Sequence, residues 1–465
     1  MASSPPHKSE KIIVDSIHGD IHLNEVECRV IDTASFQRLR HLKQLGMAHV
    51  TYPNATHTRF AHSLGVLGIM AKITDIAKDT LNLDHEQVED IRLAGLLHDI
   101  GHYPYSHLME RVDKVQLTEE SVAGNTTVQS SQAPYPDHEQ VGEWIVTSQS
   151  DVIEALGGPD RAARVASLFT RNTSADPQIS KLIHSSLDMD RLDYLIRDSR
   201  AAGVPHGEID LNYLINNFRL SPSGVLGVLE KAITAVDHFL TARFYMHRSV
   251  YYHKTTFGFE EATRQLLRRL RDAKQFELPT DGEMIEKLVK SDQLSGFTDS
   301  YVDEMINRAS LLDDPVIKAL AQSIRGRRPP KLLREVQVLE PNTSRYHAGE
   351  TFKRECKHRL KDFAEAKGIP LGRFLLADTK PLRLEERGAL LTGDEAMRLK
   401  PDERQEIIRV FVDEKKEPVS VVDVRHSLTH LCSNHFYQTT RLYLVPDNDT
   451  TVILIESLRN EVRCW

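Results

Sequence analysis

Ten consecutive residues, His98-Asp99-Ile100-Gly101-His102-Tyr103-Pro104-Tyr105-Ser106-His107, bring three histidines and an aspartate together. A neutral imidazole nitrogen and a neighbouring carboxylate oxygen can share one cation. His102 lies one turn after His98, so on a continuing helix the two rings share a face. Burying this set for packing alone is costly, because each polar group needs a partner. The competing reading is a capped helix end with solvated histidines.

The apolar spacing of Val88–Leu97 predicts a helix that ends at the His-Asp pair. Gly101 weakens it there and Pro104 suits a chain leaving it. Upstream, Lys11–Leu23 reads as a hairpin turning at His18-Gly19-Asp20. Residues Asn24–Gln44 read as helix, broken near Asp32-Thr33 where a new cap fits. Tyr52-Pro53-Asn54 is a turn, and Thr58–Leu81 is a long helical pattern carrying His62. Residues 114–136, rich in Ser, Thr, Gln and Gly, read as an inserted loop. Helical patterns resume at His138–Gln149 and run with interruptions to about Val289, one of them beginning in or holding Asp188–Tyr194. Gly326–Gly349 reads as a linker. Beyond it Arg373–Ala377, Ile407–Val412, Val419–Val424, Arg441–Val445 and Thr451–Ile455 read as strands. The expected class is mainly α: a helical core over residues 1–330 and a smaller mixed α+β lobe over 331–465.

The 465 residues carry 59 Lys and Arg against 67 Asp and Glu, a net charge of −8 that does not indicate a general nucleic-acid binder. Cys28, Cys356, Cys432 and Cys464 are scattered without a C-x-x-C pair, which points to reduced thiols in a cytoplasmic protein. The first residues lack the apolar core of a signal peptide, and no run of about 18 apolar residues is present, so no membrane association is expected.

One cation needs more donors than a His-Asp pair supplies. Seven ordered blocks bear on this: Asp15-Ser16-Ile17-His18-Gly19, Phe36-Gln37-Arg38-Leu39-Arg40, Lys43-Gln44-Leu45-Gly46, His57-Thr58-Arg59-Phe60-Ala61-His62-Ser63-Leu64-Gly65, the central stretch, Asp190–Asp198, and Tyr251-Tyr252-His253-Lys254. Together they resemble the HD-domain superfamily of metal-dependent phosphohydrolases. Within it they are similar to the dNTP triphosphohydrolase branch, whose members include enzymes with a sterile alpha motif and their bacterial relatives. The resemblance runs from Lys11 to Lys254, and no sterile alpha motif is expected ahead of it.

The resemblance implies four metal ligands, His62, His98, Asp99 and Asp190, and three catalytic histidines, His102, His107 and His138. Two imidazoles and two carboxylates suit one Mn, Fe, Ni or Zn ion, while Mg could accompany the substrate phosphates. By the same resemblance Arg59 and Arg191 hold phosphates, with Arg243 and His247 as further phosphate-side residues. Arg191 stands where the best-known relative has lysine, which keeps the charge and changes its geometry. Gln44, Leu45 and Asp198 match positions that contact the sugar 3′-hydroxyl. Tyr194 and Tyr251 match those that wall the sugar, and Tyr251 would crowd a 2′-hydroxyl. Lys11, Asp32, Gln37 and Arg40 match positions that grip a guanine-nucleotide activator between subunits of a homotetramer. The implied reaction turns a dNTP into deoxynucleoside and inorganic triphosphate.

Three other readings compete. Another HD phosphohydrolase, acting on a monophosphate or an alarmone, would share the metal ligands without needing Gln44, Tyr194, Asp198 and Tyr251. A zincin-like protease would share the His98-x-x-x-His102 spacing, but Asp99 replaces the usual glutamate and Pro104 follows too soon. A nucleotide-sensing assembly protein without turnover would have no need of the catalytic histidines.

Overall fold

The computed structural model describes residues 11–113, 135–170, 187–221, 225–341, 348–384, 408–413 and 416–465. The expected loop insertion therefore lies outside the described residues except for Tyr135 and Pro136.

The fold is mainly helical, with three small sheets among the described residues. The hairpin pairs Lys11–Asp15 with Gly19–Leu23 in antiparallel register, Asp15 facing Gly19, so the turn is Ser16-Ile17-His18. That is earlier than His18-Gly19-Asp20, because Asp15 accepts the backbone N–H groups of Ile17 and His18 and closes the turn itself. Asn24 and Glu27 form a capping box at helix Glu25–Ile31, and Thr33 caps Ala34–Gln37, which places the break at Asp32-Thr33.

Helix Arg59–Leu81, capped by Thr58, packs against His85–Leu97, capped by Asp84. A Cβ on Gly95 would meet Met70 at 3.3 Å, so the glycine lets these two helices approach closely. By length and composition Arg59–Asp79 is apolar enough to cross a membrane, but 67% of its apolar 18-residue stretch is buried within the protein, where it forms the centre of the core.

Helices His138–Ser148, Met189–Ala202, Ile233–Met246 and Lys254–Asp272 complete the surroundings of the site. Two further helices, Asp299–Ala309 and Pro315–Arg325, extend the helical region past Val289.

Within the region read as a linker, Gly326–Gly349, residues 342–347 lie outside the described residues, while Lys331–Pro341 is an 11-residue strand. It pairs with His435–Leu444, which also pairs with Phe374–Asp378. Its pairing partner lies about a hundred residues away, so no local pattern announces it. The segment read as a strand at Thr451–Ile455 is the start of helix Val452–Val462. Thr451 caps it, and Ile455, Leu458 and Val462 bury one stripe while Val452 and Ile453 face solvent. The β-branched run suggested a strand, but the burial has helical period. Val419–Val424 is strand only over Val419–Ser420, then a 3-10 turn. Strand Arg409–Phe411 runs parallel to Leu226–Leu229, and Tyr443 donates to the Lys254 carbonyl at 2.8 Å, joining the C-terminal residues to the helical part.

Candidate active site

Helix His85–Leu97 ends as expected, but the chain does not continue helically through His102. His98 is the C-cap, and the backbone turns through Ile100 N–H to Leu97 O and His102 N–H to Asp99 O. The shared face expected for His98 and His102 is thereby lost, and the two rings enter different clusters. Buried Arg38 holds the turn, donating to the carbonyls of Ile100 (3.2 Å), His102 and Phe297 (3.0 Å). Gly101 is needed for closeness rather than for breaking a helix: a Cβ there would lie 2.1 Å from the His138 carbonyl oxygen. Helix His138–Ser148 thus rests directly on the turn.

In the first cluster, ligand atoms of His62, His98 and Asp190 lie within 4.8 Å of one another. His62 Nε2 is 3.0 Å from Asp190 Oδ1 and 3.6 Å from Asp99 Oδ2, and His98 Nε2 is 3.4 Å from Asp99 Oδ1. Both Nε2 atoms are buried, with no well-directed hydrogen bond among the described residues. His98 Nδ1 donates to the Gly95 carbonyl at 2.8 Å and His62 Nδ1 to Asp193 at 2.7 Å, so both rings turn Nε2 toward the carboxylates. Burial opposes a charge on His62, yet Asp190, Asp193 and Asp99 outweigh it and push its pKa up to about 10. Two Nε2 atoms and the carboxylates converging in this way form a donor set that fits a divalent cation, which would take the place of the proton on His62.

In the second cluster, His102 and His138 stack with ring centroids 4.0 Å apart, and His107 packs edge-on against both. Glu110, which sequence reasoning missed, accepts from His107 Nδ1 at 2.8 Å and lies 3.5 Å from His138 Nδ1. Burial alone would raise the Glu110 carboxyl, but His107 and His138 hold it far below the usual range. His138 is raised despite burial, mainly by Glu110 and Asp99. His102 is lowered by burial and by the charges of Arg59 and His138. Positive φ values at Tyr105 (55°) and Ser106 (57°) swing the chain so that His107 starts a new helical turn beside His102. Such residues cost roughly 1–3 kcal/mol each and gather at functional sites.

Asp99 stands between the clusters, 3.1 Å from His102 Nε2 and paired with the Arg59 guanidinium, which also donates to Ser106 Oγ at 3.0 Å. The residues expected beside a sugar are linked to one another: Tyr251 donates to Asp198 at 2.7 Å, His57 donates to the other Asp198 oxygen at 2.7 Å, and Tyr194 meets Tyr251 edge-on. Gln44 Oε1 is buried without a partner, while Leu45 packs on the core. His247 lies 4.8 Å from the Tyr251 ring. Arg191 pairs with Asp188 at 3.0 Å, and Arg243 donates to the Leu384 carbonyl at 2.8 Å while its charge reaches Asp188 and Tyr194.

Away from these groups, Lys11 and Asp32 lie 3.9 Å apart, and Arg40 donates to Gln37, which donates to the Ile31 carbonyl next to Asp32. The four proposed activator residues therefore share one surface. A cavity of about 400 Å³, lined by Ile17, His18, Lys72, Ile196, Arg200 and Glu208, opens near the hairpin turn and not over the histidine clusters. The chemistry is better placed by the converging polar atoms than by that hollow.

Residues 59–197 match the family described as HD domain, and residues 209–311 match the HD associated region. An uncharacterized protein of Methanocaldococcus jannaschii is 36% identical over 248 residues, 53% of this chain and 46% of the relative. The deoxynucleoside triphosphate triphosphohydrolase SAMHD1 homolog of Dictyostelium discoideum is 30% identical over 253 residues, 53% of this chain and 47% of the relative. The chain spans about half the length of the curated relatives it matches. The crystal structure of a phosphohydrolase from Bacteroides thetaiotaomicron shares the fold, with a TM-score of 0.68 at 22% identity over 93% of this chain and 99% of that one.

Proposed function

Because the chain carries an HD domain followed by an HD associated region, we propose that it is a metal-dependent phosphohydrolase that converts dNTPs to deoxynucleoside and inorganic triphosphate. One observation carries this reading: a donor cluster of His62, His98 and Asp190 abuts a histidine cluster of His102, His107 and His138, with Asp99 between them. In the proposal His62, His98, Asp99 and Asp190 hold the ion, a Mn, Fe, Ni or Zn ion by the nature of the donors. The ion would supply Lewis-acid polarisation of a phosphate oxygen.

The remaining work falls to the side chains. Arg59 and Arg191 meet phosphate oxygens, with Arg243 and His247 as further phosphate-side residues, and Mg would accompany the triphosphate. His107 and His138 share Glu110, so a proton can be held at either ring and passed to the leaving sugar oxygen. The buried, unpartnered Gln44 Oε1 can accept from the 3′-hydroxyl beside Leu45 and Asp198. Tyr251, fixed by its bond to Asp198, and Tyr194 form a wall against a 2′-hydroxyl. Exposed Lys11, Asp32 and Arg40 with half-buried Gln37 take a guanine-nucleotide activator in a homotetramer. Product analysis with each dNTP and NTP, with metals varied, tests the reading: triphosphate release from dNTPs alone is expected. Equal cleavage of NTPs, or release of single phosphates, would overturn it.

A further inference from the structure

Asp193 touches no substrate-side residue, yet it is fully buried and both of its oxygens are saturated. Oδ1 accepts from His18 Nε2 at 2.5 Å and Arg197 Nη2 at 2.9 Å. Oδ2 accepts from His62 Nδ1 at 2.7 Å and Arg197 Nε at 2.8 Å. Arg197 forks in turn onto Asp15, at 2.9 and 3.1 Å, and the same Asp15 closes the hairpin turn. The packing leaves a space that only glycine fits: a Cβ on Gly65 would lie 2.0 Å from Asp193 Oδ1 and 2.4 Å from Arg197 Nη2.

We infer that Asp193 is the positioning residue of the metal site, and that the hairpin Lys11–Leu23 is its outer anchor through Asp15 and His18. The inference rests on the reading of His62 as a metal ligand. An ionised carboxylate can only accept, so Asp193 keeps the hydrogen of His62 on Nδ1 and leaves the Nε2 lone pair for a cation. Its charge also makes His62 a stronger donor than His98, whose ring is fixed by a neutral carbonyl. A buried ion cluster of this kind is weak evidence for stability, since an apolar replacement can be as stable. Its use here is orientation: four contacts and a glycine-sized gap leave the carboxylate one position. Asp15 and Arg197 transmit that constraint from the hairpin, 175 residues from Asp193 at His18.

The test compares the affinity of the purified full chain for Mn²⁺ and Zn²⁺, by competition with a chromophoric chelator, and the unfolding temperature of the metal-stripped protein. Asp193→Asn is expected to weaken binding about 10–100-fold, the usual loss for the outer partner of a ligating histidine. Asp15→Asn, which touches no ligand, is expected to weaken it roughly 3–10-fold. Glu27→Gln is the control: Glu27 is equally buried and paired with Arg92 at 2.7 Å, so it should lower the unfolding temperature and leave affinity unchanged. A merely structural role for Asp193 predicts that all three variants lose stability with wild-type affinity, and that result overturns the inference. Should Asp193→Asn fail to fold, Asp15→Asn decides by the same criterion. A wild type that binds neither metal would instead overturn the reading of His62 as a ligand.

Discussion

The two histidine clusters are neighbours built from the same residue type, yet their surroundings push them in opposite directions. His62 is ringed by Asp99, Asp190 and Asp193, which raise its pKa to about 10 against burial. At His102 burial, joined by the charges of Arg59 and of the stacked His138, outweighs Asp99 and takes the pKa well below the ordinary value. One cluster concentrates negative charge and fixes its tautomers with a carboxylate and a carbonyl. The other packs three imidazoles together, His107 and His138 on Glu110 and His102 on Asp99. The first is suited to hold a cation and the second to hold and pass a proton, so the charge around a histidine, more than the histidine itself, assigns its task.

The strongest way to break this comparison is to delete members of each cluster. His98→Ala or Asp99→Ala is expected to abolish both metal retention and hydrolysis with the fold largely intact. Elemental analysis showing full metal content in both would erase the distinction. His102→Ala and His138→Ala are expected to keep the metal and lose turnover by about 10²–10⁴-fold, the usual worth of a positioned acid or base.

A smaller effect is expected at the sugar wall. Tyr251→Ala should raise NTP over dNTP turnover roughly 10-fold, judged by the ratio of kcat/KM values, because crowding one hydroxyl discriminates modestly. An unchanged ratio would move the discrimination away from Tyr251.

The charge argument itself is sharpened by Glu110→Gln. Glu110 is the first of the groups that raise His138 against burial, so removing its charge should lower the His138 pKa. A rate that needs protonated His138 would then fall off at lower pH than in the wild type. The pH profile of kcat checks this, and a fall-off at unchanged pH would free His138 from Glu110. The sign for stability follows the same bond. Glu110 is depressed, so the stabilisation that it gives is present above its unfolded pKa of about 4.3 and is lost as pH falls toward its folded value.

The smallest structural effect belongs to the exposed set. Asp32→Ala with Arg40→Ala should cost about 1 kcal/mol, chiefly the Arg40 guanidinium stacked 3.5 Å from the Phe60 ring centroid, and leave metal content untouched, since the Lys11–Asp32 surface pair contributes little. It should remove any sigmoid in rate against nucleotide concentration. Hyperbolic wild-type kinetics, with a constant mass in light scattering with and without dGTP, would refute nucleotide-driven assembly.

Local chemistry alone determined much of the helical part. Thr58 and Asp188 announce their helices because a short polar side chain can take the free N–H groups of the first turn. Asp32-Thr33 marks a break for the same reason. The apolar spacing before His98 places the end of its helix, since periodicity reports which face is buried. Composition and spacing could not say where the strand Lys331–Pro341 finds its partner, or that Val452–Val462 buries a helical stripe. Those depend on contacts far along the chain.

The same limit governed the site. Histidine and aspartate types suggested a cation, and the resemblance supplied the four ligands. Only the tertiary structure parted His98 from His102, because Arg38 and Gly101 fold the turn between them against helix His138–Ser148. Asp193, Arg197, Asp15 and His18 were visible in the quoted blocks without a role, and Glu110 was not singled out. A carboxylate's partners are set by packing across the chain, and no spacing along it records whether a histidine will sit among three carboxylates, as His62 does, or between a carboxylate and an arginine, as His102 does.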